Sequence, residues 1–384
     1  LQWAARQLTA CVRANDTVSR QGGDEFIVMV SEINRLEDVA YLAQKLLTAL
    51  AAPCEINGQR LSLSASIGIS LYPGDGIEDA DALLKCADIA MYHAKSKGRG
   101  NYQFFTAELN TRALTRMTLE NSLRNALQRE EFFLVYQPVV DLHSGFIIGM
   151  EALLRWRHPQ QGLIPPGEFI SIAEETGLIV PIGNWVLRTA CQQAQVWHAQ
   201  GFNHLRLAVN LSTRQFNQHD LVTTVAGILR RAGLPAQCLE LEITESLLIE
   251  NVDSTLATMH ELTALGVSLA IDDFGTGYSS LTYLKRIPIN TLKIDRSFIL
   301  DVATDPSVAA ITSAVIDLAH KLGIKAIAEG VEDAQQLAVI QQQGCDAIQG
   351  YYFSTPLTVE EFQQLLRQGR RLAGSLPVVR SVAN

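Results

Sequence analysis

Two adjacent carboxylates, Asp272 and Asp273, end the apolar run Ser268-Leu269-Ala270-Ile271 and lead into Phe274-Gly275-Thr276-Gly277. Side-by-side negative charges repel, so such a pair persists only where protons, hydrogen bonds or cations compensate it. A metal would compensate both at once, whereas a turn capped by Asp273 would explain one carboxylate alone. The design repeats along the chain. Apolar runs end in Asn210, in Glu242 followed by Thr244 and Glu245, in Lys293 and Asp295, in Glu329 with Glu332 a turn later, and in Gln349. These groups offer oxygen ligands without paired His or Cys, a set that suits a hard divalent cation such as Mg²⁺ or Mn²⁺.

The elements that must position these groups are strand-like runs alternating with helix-like stretches such as Gln218 to Ala232 and Ser307 to Leu322. That alternation is the sequence sign of a parallel sheet. Polar residues at so many successive strand ends favour a closed (β/α)8 barrel, whose active site lies at the C-terminal face. An open doubly wound sheet is the alternative, and it would gather ligands only near a switch point. Before these runs, Phe133 to Val140 and Phe146 to Leu154 flank Asp141-Leu142-His143-Ser144-Gly145, a loop of turn formers, so the barrel is expected to start antiparallel.

At 384 residues, with 47% hydrophobic and 18% charged residues, the chain is long enough for two globular domains. Its net charge of -9 and pI near 5.4 exclude the electrostatic footprint of a DNA or RNA duplex binder, while a small phosphate ligand stays compatible. The six cysteines are scattered, which fits a reducing, cytoplasmic compartment, and the eight histidines form no His-Glu-x-x-His zinc motif. No run is long and apolar enough to span a bilayer. The chain starts at Leu1, so it is expected to be a piece of a longer protein whose missing N-terminal region could carry a sensor or membrane anchor.

Glu151-Ala152-Leu153, continued by Leu154-Arg155-Trp156, resembles the name motif of the EAL domain, the cyclic di-GMP phosphodiesterase family. The likeness extends in family order through Tyr136-Gln137-Pro138, Pro166-Gly167-Glu168-Phe169-Ile170, Asn210-Leu211-Ser212, Glu242-Ile243-Thr244-Glu245 and Asp272 to Gly277. It continues through Lys293-Ile294-Asp295, Glu329-Gly330-Val331-Glu332 and Gln349-Gly350-Tyr351. The resemblance implies a TIM-like barrel that opens cyclic di-GMP to linear pGpG, with two Mg²⁺ or Mn²⁺ ions. Glu151, Asn210, Glu242 and Asp272 would hold one ion and Asp273 the second, with Glu329 close to both. Lys293 would touch the attacking water. Gln137, Leu154, Arg155 and Gln349 would meet the substrate, Glu245 would hold the loop carrying the two aspartates, and Glu332 would support the site or touch substrate. A homodimer is expected. The alternative is a silent cyclic di-GMP receptor that signals to a partner.

Upstream, Gly22-Gly23-Asp24-Glu25-Phe26 lies between Val18-Ser19-Arg20-Gln21 and Ile27-Val28-Met29-Val30, the pattern of a β-hairpin with a glycine turn. These residues resemble the name motif of the GGDEF domain, the diguanylate cyclase family. Arg13-Ala14-Asn15-Asp16 stands at the spacing of that family's product-inhibition motif, and Ala87 to Lys95 with Gly98-Arg99 resembles its C-terminal helix and basic turn. The resemblance implies Mg²⁺ at Asp24 and Glu25, GTP phosphates at Lys95 and Arg99, and cyclic di-GMP at Arg13 and Asp16. The family's first half, with half the nucleotide site, is not in this sequence, so cyclase activity is not expected. The organisation reads as residues 1–105, the C-terminal part of an α+β GGDEF domain; 106–129, an amphipathic connector helix; 130–375, the EAL domain; and 376–384, a tail.

Overall fold

The computed structural model describes residues 1–33, 36–56, 59–61, 63–73, 79–106, 118–245, 247, 252–275, 284 and 286–372. It divides into two units, Leu1–Leu119 and Glu120–Asn384. In the second unit eight strands close a barrel: β1 (Phe132–Asp141), β2 (Ile147–His158), β3 (Arg206–Asn210), β4 (Leu239–Thr244), β5 (Ser268–Phe274), β6 (Thr291–Ile294), β7 (Lys325–Glu329) and β8 (Ala347–Gln349). β1 runs antiparallel to β2 and β8, and every other neighbouring pair is parallel, including the closing pair of β2 with β3. The barrel is therefore closed, with the antiparallel start expected. β2 runs on to His158, past the Leu154 boundary read from sequence. Its extra residues pair with the short strand Gly162–Ile164 and with the start of β1.

β4 shows why the strands face as they do. Leu239, Leu241 and Ile243 are at most 1% exposed and point outward under the helices, while Glu240 and Glu242 alternate inward. Each fully buried Leu or Ile here contributes about 1.5–3 kcal/mol. The same period fixes two inward rings. The upper ring carries Gln137, Glu151, Asn210, Glu242, Asp272, Lys293, Glu329 and Gln349; the ring below carries Val139, Gly149, Ala208, Glu240, Ala270, Thr291, Ile327 and Ala347. In the lower ring Val139, Ile327 and Ala347 pack as an apolar cluster.

Helices cover the barrel. Leu221–Ala232 buries Leu221, Val225, Ile228 and Leu229, one stripe at helical spacing, and stops at Gly233 in the left-handed conformation. Of the expected connector helix, residues 107–117 lie outside the described residues; 118–126 are helical and a turn follows, so the helix ends short of Arg129. Leu119, Leu123 and Ala126 are its buried face. Ser122 ties it to the end of β2: His158 Nδ1 accepts from Gln160 N and Gln161 N, so its Nε2–H donates to Ser122 Oγ at 3.1 Å. Trp156 Nε1 donates to Glu131 Oε2 at 2.9 Å. Among the described residues no helix is long and apolar enough to cross a membrane.

In the first unit the expected hairpin pairs Thr17–Gly22 with Glu25–Met29. Ile67–Ile69 runs parallel to Tyr102–Phe104, and the helix Ala80–Ser96 crosses so close to Gly68 that a Cβ there would meet Ala87 O and Met91 N. Ala4, Leu8, Leu46 and Leu50 form one core of this unit and Val39, Ala43 and Ile69 another.

Candidate active site

Adjacent strand residues face opposite sides of a sheet, so Asp272 and Asp273 could not share a site on a regular β5. The backbone removes the conflict. Asp273 adopts φ +54°, and the pairing of β5 with β6 shifts register between Ile271 and Phe274. Such an irregularity re-aims a side chain, and Asp tolerates the left-handed region better than most residues. As a result one carboxylate oxygen from each of Asp272, Asp273 and Glu329 lies within 4.8 Å of the others. The turn that follows is held from β4: Glu245, 2% exposed, accepts from Gly275 N at 3.0 Å. Gly275 has φ +102°, and the Phe298 ring sits where a Cβ would be. Thr276 and Gly277 lie outside the described residues.

Lys293, 1% exposed, is the cation around which the upper ring gathers. Its Nζ lies 2.5 Å from Glu329, 2.7 Å from Glu242, 3.4 Å from Asp272 and 3.6 Å from Glu151. Burial alone would pull the ammonium down, but the fields of Glu151, Glu242, Glu329 and Asp272 together hold it well above its usual range. On the carboxylates burial acts in the opposite sense. Burial, and then neighbouring carboxylates, push Glu242 well up; burial pushes Glu329 up to about 8 against the pull of Lys293. Asp273 stands at the exposed rim, yet partial desolvation and then Asp272 raise it to about 6.

Glu151 is oriented from two sides. Asn210 Nδ2 donates to its Oε1 at 2.6 Å and Gln349 Nε2 to its Oε2 at 2.6 Å. Gln349 also donates to Gln137 Oε1 at 3.0 Å, and Gln137 in turn to Ser354 O at 3.2 Å. Both amides are at most 7% exposed, so in this arrangement they brace a carboxylate. Arg155 is half-buried with Nη1 on Leu154 O at 2.8 Å; desolvation lowers it, partly offset by Tyr351 and Glu151. Tyr351 is 60% exposed. Glu332 lies 2.8 Å from Arg296 Nη2, a partner not anticipated from sequence, and Asp295 lies beside Asp273. The Lys293-Ile294-Asp295 motif held the signal for Asp295, since it put that acid two residues past Lys293.

The donor set fits divalent cations. Four carboxylates, Glu151, Glu242, Asp272 and Glu329, face one ammonium and Asp273 stands beside two of them; when all five are ionised the surplus of four negative charges is what two divalent ions carry. Glu242 Oε2 is buried with no hydrogen-bond partner among the described residues, a lone pair left for a cation.

The residues picked out in the first unit are mostly exposed. Asp16 Oδ2 accepts from Arg13 N at 2.8 Å, which engages its carboxylate with backbone. Asp24 lies in the hairpin turn and Glu25 just after it, and Arg20 Nη2 donates to Gly23 O in the same turn at 2.6 Å. Lys95 lies in the last turn of its helix and Arg99 at φ +59° just after it.

The sequence profile of the EAL domain family matches residues 120–356, and that of the diguanylate cyclase GGDEF domain matches residues 1–101. The chain is 46% identical over 357 residues to the bifunctional diguanylate cyclase/cyclic di-GMP phosphodiesterase MucR of Pseudomonas aeruginosa, covering 93% of this chain and 52% of that protein. It is 38% identical to the cyclic di-GMP phosphodiesterase PdeR of Escherichia coli, covering 93% and 53%. The chain thus spans about half the length of these curated relatives. Among solved structures it resembles a MucR phosphodiesterase in complex with cyclic di-GMP, with a TM-score of 0.62 and 47% identity over 64% of this chain and 99% of that one. It also resembles the EAL enzyme Bd1971 in its cAMP-bound form, with a TM-score of 0.63 and 34% identity over 76% of each chain.

Proposed function

The chain belongs to the EAL domain family, with a GGDEF stretch ahead of the EAL domain, and from that premise we propose that it hydrolyses cyclic di-GMP to linear pGpG at the C-terminal mouth of the barrel. The observation that carries the reading is the convergence of four carboxylates on one buried lysine with a fifth, Asp273, beside two of them, because so concentrated a negative charge is suited to binding cations. Glu151, Asn210, Glu242, Asp272, Asp273 and Glu329 would hold two Mg²⁺ or Mn²⁺ ions. When bound there, such ions supply an acidified water and charge on the phosphoryl oxygens. Lys293 donates to the attacking water and counters the charge that builds on the phosphoryl group. Arg155 presents a planar donor fork to a phosphate at the rim. Gln137 and Gln349 keep Glu151 in place and meet the substrate edge beside Leu154, while Glu245 fixes the turn after Asp273 and Glu332 steadies the far rim through Arg296.

This reading includes a homodimer, and GTP or cyclic di-GMP at Arg13, Asp16, Asp24, Glu25, Lys95 and Arg99 as a weaker ligand site. It places the reaction in the cytoplasm. Glu151→Gln tests it, since the amide keeps the shape and loses the charge. Turnover of cyclic di-GMP, followed by chromatography, should fall by roughly two orders of magnitude or more with the fold unchanged. Near-normal turnover in that variant would remove Glu151 from the site.

A further inference from the structure

Below the proposed metal cluster the barrel interior is built of small or apolar side chains, apart from one pair. Glu240 on β4 is 7% exposed and Thr291 on β6 is 2% exposed, and Thr291 Oγ1 donates to Glu240 Oε2 at 2.7 Å. β4 and β6 are not neighbours in the sheet. β5 lies between them, and its residues there, Ser268 opposite Glu240 and Ala270 opposite Thr291, are small enough for the two side chains to meet across it. Directly above, on the same two strands, Glu242 and Lys293 meet at 2.7 Å. Two parallel rungs therefore join β4 to β6. They matter because the main chain does not continue the tie: the pairing of β5 with β6 holds at Ala270 with Thr291 and Ile271 with Leu292, then shifts before Phe274. Lys293 stands in the shifted stretch, with no ladder partner on β5 to fix its height against Asp272.

We infer that Glu240 and Thr291 are positioning residues for the cluster. Their hydrogen bond sets the spacing of β4 and β6, and so holds the Lys293 ammonium and Glu242 in the register that leaves the carboxylates free to bind cations. A buried carboxylate in a ring of Gly, Ala, Val and Ile is costly unless hydrogen-bonded, and this one takes its bond from Thr291 on the strand that carries Lys293. The inference rests on the cluster being a divalent-cation site.

The test uses the full chain and reads Mn²⁺ binding by calorimetry, with turnover measured alongside. Thr291→Val removes the hydroxyl at constant shape. The double variant Glu240→Met with Thr291→Val replaces both partners by apolar groups, which is often neutral for folding. Both should bind Mn²⁺ at least about tenfold more weakly, with kcat reduced and KM for cyclic di-GMP within about twofold, while Thr291→Ser should stay within about threefold of the parent. The double variant should melt at or above the parent's temperature, a result that a purely structural role would not combine with lost metal affinity. Parental Mn²⁺ affinity in either folded variant would overturn the inference, as would failure of both to fold, since the pair would then serve folding and not the site. Mn²⁺ binding without hydrolysis by the parent chain would instead retire the hydrolase reading and leave this one standing.

Discussion

At the scale of single residues, the site turns on Asp273 leaving the β conformation and Lys293 being enclosed by acids. The raised positions of Glu242, Asp273 and Glu329 mean that, without cations, the folded cluster keeps protons that an unfolded chain would release. The folded state then binds more protons than the unfolded one between the ordinary carboxylate range and about 8, so these groups erode the stability of the cation-free chain as pH rises through that window. Cations must displace the same protons. Apparent Mg²⁺ affinity is therefore expected to climb with pH and level off above about 8, with protons released on binding. Calorimetry in buffers of different ionisation enthalpy measures this directly. Affinity that is flat with pH, with no proton release, would show that the acids are already ionised.

At the scale of elements, much of the site could be read in advance because each apolar run ended in its polar group, and β3, β4, β7 and β8 do end at or within two residues of Asn210, Glu242, Glu329 and Gln349. What the pattern does not encode is the partnership across the barrel. Leu239-Glu240-Leu241-Glu242 alternates apolar and acidic residues, yet all four are buried, because the polar face looks into a lumen. Nor does a string of residues reveal that Gln137 and Gln349 brace Glu151, or that Glu332 turns to Arg296, since those contacts depend on closure of the sheet. One contact between loops is sharp enough to test. A Cβ on Gly350, just after β8, would fall 2.1 Å from Val331 O and 2.4 Å from Val331 N, in the segment after Glu329. Neither backbone can yield without moving Glu329 or Gln349. Gly350→Ala should cost about 1–3 kcal/mol of stability, seen as a lower Tm, and should weaken turnover as well. An unchanged Tm would mean that the loop gives way freely.

For the whole molecule, the net charge of -9 speaks against a polyanionic partner such as duplex nucleic acid, and the site reconciles that acidity with a phosphate substrate by concentrating carboxylates where cations can bridge them to it. The stretch matching the GGDEF family shows no comparable concentration: among its described residues Asp24 and Glu25 are exposed on a hairpin. The proposed activity is thus a property of the barrel. The most direct test is to incubate the purified chain with cyclic di-GMP and Mg²⁺ or Mn²⁺, with and without a chelator, and to identify the product by mass. The account predicts linear pGpG, one water heavier than the substrate, in the presence of metal and none with chelator. Tight binding of intact cyclic di-GMP with metal present, and no linear product, would contradict it.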